Sequence, residues 1–299
     1  MTINKTLLLN GVFGVAFVAL TVFLVVGVSS YKPVATISAA VDDTRSDIYV
    51  AMGDSVAAGV GAGASTEDES GKCGRTDGAF SEKVARDLRL DLTNISCGGA
   101  TIPVGITGLQ PSDTDTQLNK LFSGSKPGVI SITIGANDLQ WIYESGICLA
   151  QPCGTPSDKK AFNDKAAKFE NSLRSLIDQI HQMYLSNKPE IYVTGYYQIA
   201  STSSDEELIK KTGKSIENIA WIEEMRRILN ETIRRATLGY GNVRYVDIDF
   251  SGHEFYTQDP WVRHVTEAES LHPNIRGEEE MAKAVIKAIN LHRYSVKTR

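Results

Sequence analysis

The sequence has no basic run, no paired Cys-x-x-Cys and no nucleotide loop, and each absence removes a class of function. Its 31 Lys and Arg are scattered among 36 Asp and Glu, for a formal charge of -5, which leaves no electrostatic footprint for nucleic acid. Cysteine is scarce: Cys73, Cys97, Cys148 and Cys153 are the whole complement, and their spacings do not make a structural zinc pattern. Gly59, Gly61 and Gly63 are not followed by Lys-Ser/Thr, so they fail as a phosphate loop and are expected to form a flexible wall. There is no internal repeat or low-complexity tract, and the composition is that of one ordinary globular domain.

One long apolar stretch is present. Residues 7–28 carry no charge and, at about 1.5 Å per helical residue, reach across a hydrocarbon core of roughly 30 Å. A transmembrane helix over residues 1–30, kept as a membrane anchor, is the expectation. The alternative is a cleaved signal peptide, with Lys5 ahead of the apolar run and small residues at Ser38-Ala39-Ala40. Either sends the remaining chain to an extracytoplasmic side, where disulfides persist. Of the three pairings that four cysteines allow, Cys73–Cys97 and Cys148–Cys153 are expected. Residues 31–46, rich in Ser, Ala, Thr and Asp, read as a linker, and residues 47–295 as the folded domain.

Within that domain short apolar runs alternate with segments of helical period. The runs are Ile48–Met52, Leu90–Ile95, Val129–Ile134, Ile191–Thr194 and Val243–Ile248, each bounded by turn residues or charge, as in buried strands. Stripes such as Phe162, Phe169, Leu173, Leu176, Ile180 and Tyr184 mark the helices between them. This alternation predicts a three-layer α/β/α fold around a doubly wound, parallel, five-stranded sheet of the flavodoxin-like kind. Two stretches fall outside the pattern and are expected as loops shaping access to a site: Leu139–Pro156 and Ser201–Ser215.

Four short motifs fall at predicted carboxyl ends of strands or before the last helix. Gly53-Asp54-Ser55 follows the first run, Cys97-Gly98-Gly99-Ala100-Thr101 the second and Gly135-Ala136-Asn137-Asp138 the third. Glu269-Ser270-Leu271-His272-Pro273-Asn274 precedes the final helix. Singly, each has an ordinary explanation: Ser55 as a helix cap, Asn137 as a turn residue, His272 as a loop end. Together they bring a hydroxyl, a flexible backbone amide, a carboxamide and an imidazole to one sheet edge, where doubly wound folds place their ligands.

In these four blocks the chain resembles the SGNH (GDSL-like) hydrolase family over essentially all of Tyr49–Ile289. The resemblance implies Ser55 as nucleophile, His272 as base, and an oxyanion hole from Ser55, Gly99 and Asn137. The family's Asp three residues before the histidine is replaced here by Glu269, which is expected to orient His272. Asp249 or a backbone carbonyl near Glu269 are the alternatives. Cys73, Cys97, Phe250–Glu254 and Pro260–Val262 are similar to the secreted, disulfide-bonded esterase and lipase branch. No metal or organic cofactor is implied.

The chemistry is coherent in its own terms. A serine hydroxyl needs a neighbouring base, and imidazole, with an ordinary pKa of about 6.5, suits that task near neutrality. Attack on an ester carbonyl places negative charge on oxygen, which fixed N–H donors stabilise. Asp54 is expected to stabilise the turn, because a reacting carboxylate beside the nucleophile would repel the oxyanion. His253 is expected to be structural, and His181 and His292 have no assigned role. The expected activity is hydrolysis of a carboxylic ester of an acyl lipid or an acylated glycan. A deacetylase or O-acyltransferase on envelope polysaccharide, and a non-catalytic binding domain of the same fold, are the alternatives.

Overall fold

The computed structural model describes residues 46–66, 72–202, 209 and 213–297. The expected anchor at residues 1–30 and nearly all of the linker lie outside the described residues. Among the described residues, no helix is long and apolar enough to cross a membrane.

Five strands form one parallel sheet: β1 (Ile48–Gly53), β2 (Asp91–Asn94), β3 (Val129–Thr133), β4 (Glu190–Thr194) and β5 (Val243–Val246), in the order β2-β1-β3-β4-β5. That order is the flavodoxin-like one, and it places a topological switch point between β1 and β3. All five strands fall, to within two residues at either end, where the apolar runs predicted them. β2 departs only in its burial: as an edge strand it alternates exposed and half-buried residues instead of being buried on both faces.

The helices are α1 (Ser55–Ala58), α2 (Phe80–Leu88), α3 (Gln117–Ser123), α4 (Trp141–Ala150), α5 (Pro156–Met183), α6 (Ile216–Thr237) and α7 (Ile275–Lys297). The start of α5 is written locally: Thr155 accepts from the Asp158 N–H, Asp158 returns a bond to the Thr155 N–H, and proline occupies the first turn. Its Phe162, Phe169, Leu173, Leu176 and Ile180 are buried, so the stripe faces the core.

The stretch Leu139–Pro156, expected as a loop, instead contains α4. Its first residue, Trp141, is fully buried beside Tyr196 and Tyr197, with ring centroids 5.4 and 6.1 Å away. Both expected disulfides are present. Cys148–Cys153 closes the turn after α4, and Cys73–Cys97 joins the chain beyond α1 to the turn after β2.

Candidate active site

The turn that carries Ser55 is set by backbone contacts that tolerate one residue type. At Gly53 φ is +138°, and a Cβ would lie 1.9 Å from the Thr133 carbonyl oxygen of β3, so only glycine lets β1 end in contact with its neighbour. The Asp54 N–H donates to that same oxygen at 2.9 Å, and Asp54 Oδ1 accepts from the Val56 N–H at 3.0 Å, capping α1. Gln117 clamps the turn from α3. Its Oε1 accepts from the Gly53 N–H and its Nε2 donates to the Gly53 carbonyl, each at 2.8 Å. Ser55 is thereby held as the first residue of α1, above the carboxyl edge of the sheet.

The Ser55 Oγ lies 2.8 Å from His272 Nε2, although 217 residues separate them in sequence. His272 Nδ1 faces two main-chain oxygens, Glu269 O at 3.2 Å and Ser270 O at 3.3 Å. One tautomer satisfies all of these contacts: Nδ1–H donates to the carbonyls, and the Nε2 lone pair accepts from the serine hydroxyl. Burial lowers the His272 pKa from its ordinary value, and Arg263 pushes the same way, while the carbonyls and Glu269 oppose.

Glu269 therefore departs from the expectation that the family resemblance implied. Its side chain is exposed, its backbone is left-handed with φ of 53°, and what it presents to the imidazole is its carbonyl oxygen. Asp249 is engaged elsewhere, accepting from Gln198 Nε2 at 2.9 Å and from Ser251 Oγ at 2.6 Å.

The second block is braced against the first and third. The Gly98 N–H donates to Cys73 O at 2.8 Å, Cys97 N–H donates to Gly53 O at 3.1 Å, and Gln110 Nε2 donates to Gly98 O at 2.6 Å. Gly99 has φ of +79°, and a Cβ there would meet only Gln110 Nε2, at 3.9 Å. Glycine is thus required there by backbone conformation and not by crowding. Among the described residues, neither the Ser55 nor the Gly99 N–H donates to an internal acceptor, so both remain available to a ligand. Asn137 Nδ2 donates to Ala100 O at 3.0 Å, and Asp138 Oδ1 accepts from the Ile102 N–H at 3.0 Å, tying the third block to the second. A cavity of about 350 Å³ adjoins this corner, bordered by Thr101, Pro103, Asn137, Lys168 and Phe169.

Beneath these loops lies a polar network that sequence reading missed. The Tyr196 hydroxyl, buried at the end of β4, donates to Asp54 Oδ2 at 2.5 Å and accepts from the Ala136 N–H at 3.1 Å. It links the first block to the third. Burial pushes the Asp54 carboxyl up to about 7 and Asp138 to about 6, with their hydrogen bonds opposing. Tyr196 lies in an apolar-aromatic stretch that reads simply as core, and Gln117 sits in a segment with no motif, so neither carried a local signal. His253 stacks on Trp261 at 3.6 Å and its Nδ1 meets Asp259 O at 2.7 Å, a structural setting.

A doubly wound parallel sheet with a serine–histidine pair at its carboxyl edge, and unengaged amides beside it, defines a class of α/β ester hydrolases. The sequence profile of the GDSL-like Lipase/Acylhydrolase family matches residues 51–279. The chain belongs to that family and is an ester hydrolase. It is similar to Lipase 1 of Streptomyces coelicolor, with 28% identity over 250 residues, covering 80% of this chain and 85% of that protein. A lipase of Streptomyces rimosus is 28% identical over 245 residues, covering 78% and 82%. Among solved structures, the extracellular lipase of Streptomyces rimosus has a TM-score of 0.60 at 24% identity, covering 81% of this chain and 97% of that one. Phospholipase A1 of Streptomyces albidoflavus NA297 has a TM-score of 0.59 at 24% identity and the same coverages. At that identity, these two structures support the fold alone.

Proposed function

We propose that the chain cleaves carboxylic esters through an acyl-Ser55 intermediate. His272 removes the proton from the Ser55 hydroxyl as its oxygen bonds to the ester carbonyl carbon. The same proton then passes from Nε2 to the departing alkoxide, and a water activated by the ring releases the acid. The N–H groups of Ser55 and Gly99 and the Asn137 amide receive the oxyanion, and each such donor is worth about 10²–10³ in rate. The carbonyls of Glu269 and Ser270 take the orienting role that a carboxylate fills in a triad. The observation that carries this reading is the 2.8 Å contact between Ser55 Oγ and His272 Nε2.

The substrate class proposed is an acyl lipid ester, supported by relatives named as lipases. The work is done outside the cytoplasm, behind an N-terminal anchor or signal over residues 1–30 and a linker over 31–46, with 47–295 as the catalytic domain. The paired cysteines support that compartment. Labelling by a fluorophosphonate probe tests the nucleophile: wild type is expected to label and Ser55→Ala to be blank. Well-folded wild type that resists the probe overturns the reading in favour of a binding domain. A panel of esters of increasing acyl length, run beside acetylated glycans with Ser55→Ala as blank, tests the substrate class. Preference for the glycans would replace the lipid with an envelope polysaccharide.

A further inference from the structure

The loop that carries His272 is held in an unfavourable shape. Glu269 and Leu271 both have left-handed backbones, with φ of 53° and 64°, a conformation that side chains beyond glycine adopt at a cost. Such a loop keeps its shape only if its surroundings impose it. From below, the Tyr197 hydroxyl donates to Leu271 O at 2.9 Å. From the side, one residue makes five further contacts.

That residue is Arg263. Its N–H donates to His272 O at 2.8 Å and its carbonyl accepts from the Leu271 N–H at 3.1 Å, so its main chain runs beside the base. Its side chain then reaches in two directions. Nε donates to Ala268 O at 2.9 Å within the base's own loop, and Nη1 donates to Gly61 O at 2.8 Å, across 202 residues of sequence. Nη2 lies 3.4 Å from Glu267 Oε2.

Gly61 belongs to the nucleophile's side. The Val60 N–H before it donates to Ser55 O at 3.0 Å, so the carbonyl that Arg263 grips is two residues beyond Ser55's own turn. The two loops touch: a Cβ on Gly61, whose φ is +81°, would lie 3.1 Å from Glu269 Cβ and 3.3 Å from Arg263 Cδ. A planar guanidinium presents several donors in fixed directions, which lets one side chain satisfy carbonyls on both sides of such a seam.

We propose that Arg263 is a positioning residue, which fastens the loop of the base to the turn of the nucleophile and so sets the separation and ring orientation of His272 and Ser55. This rests on the serine–histidine reading above. The clamp also brings a permanent positive charge to the base's surroundings, where it favours the neutral, proton-accepting imidazole. Other ionisable groups around the loop include His264, Glu267 and Glu269 within it, Asp54 on the turn that carries Ser55, Tyr197 after β4, and Arg276 and Glu278 on α7.

Two substitutions separate the fork from the charge. Arg263→Lys keeps the cation and loses the two-way grip, whereas Arg263→Gln loses both. With a short soluble ester, both variants are expected to lose about tenfold or more in kcat with KM nearly unchanged, as misplacement of a reacting group does. The acid limb of the kcat/KM profile is expected to move to higher pH in Arg263→Gln and to stay in place in Arg263→Lys. Thermal melting confirms that each variant is folded, and if Arg263→Gln fails to fold, Arg263→Lys decides alone through kcat. Wild-type kcat in either variant overturns the clamp, and an acid limb that stays in place in Arg263→Gln removes only the charge effect. Fluorophosphonate labelling keeps this distinct from the parent reading. No Ser55-dependent labelling in wild type retires the serine–histidine pair itself. Labelling of wild type and both variants at one rate retires only Arg263.

Discussion

The two halves of the candidate site are built differently. The nucleophile's half grows out of the sheet: Gly53 presses on β3, Gln117 clamps the strand end, Asp54 caps α1, and Cys73–Cys97 fastens the neighbouring turn. The base's half is a surface loop with two left-handed residues, held by main-chain bonds and by the side chains of Arg263 and Tyr197. In the first half, position and stability are the same thing, because the contacts that aim Ser55 also close the core. In the second, Tyr197 and Leu271 tie the loop to the core, while the Arg263 side chain holds it from the partly exposed rim.

That contrast is breakable by experiment. The largest effect is expected on the nucleophile's side. Replacing Cys73 and Cys97 together by alanine frees a loop spanning 24 residues. By loop entropy, this costs about 3 kcal/mol of stability in urea unfolding. A loss below about 0.5 kcal/mol would show that this half does not depend on the cross-link.

Asn137→Ala, next in size, is expected to lower kcat by about 10²-fold with little change in melting temperature, since it removes the proposed oxyanion donor. A fall below about threefold removes Asn137 from that role.

Glu278 sharpens the comparison, because it reaches from α7 on the base's side to accept from the Phe80 N–H at 2.7 Å at the start of α2. Burial raises its carboxyl to about 8, and Asp54 rises to about 7. Groups with raised folded pKa values bind more protons folded than unfolded, so stability falls as pH climbs from the ordinary carboxylate range to about 8. Melting temperature is expected to drop between pH 5 and pH 8, and Glu278→Gln to flatten the drop while keeping an oxygen for Phe80. A melting temperature that rises over that interval contradicts the assignment.

The smallest effect belongs to Glu269→Ala, which keeps the carbonyl that faces His272. Its kcat is expected to stay within about threefold of wild type, because the exposed carboxylate contributes only screened electrostatics. A loss of 10²-fold or more would return the orienting role to the side chain. The acid limb of kcat/KM in wild type is expected below the ordinary histidine range, and a limb above it would contradict the burial of His272.

Much of this was legible from residue order. Buried strands and amphipathic helices are local patterns, so all five apolar runs and the stripe on α5 identify their elements directly. The low burial of β2 escaped because edge position is decided by neighbours, and the helix at Trp141–Ala150 was hidden in a stretch judged only by its cysteines. The Gly-Asp-Ser turn, the glycine and asparagine motifs and the late histidine were legible for the same reason: each is a short segment at the end of an element.

The partner of His272 shows where that legibility ends. The family resemblance pointed to a carboxylate three residues before the ring, but the left-handed turn at Glu269 sends a carbonyl to the ring and leaves the side chain in solvent. By itself the sequence determined the layers, the sheet edge and the candidate reacting groups, because hydrophobic period and turn chemistry act over a few residues. Only the tertiary structure decided what holds those groups: Gln117 on Gly53, Tyr196 on Asp54 and Arg263 on Gly61 are side chains meeting residues 64 to 202 positions away. Such contacts depend on backbone directions that no local pattern encodes.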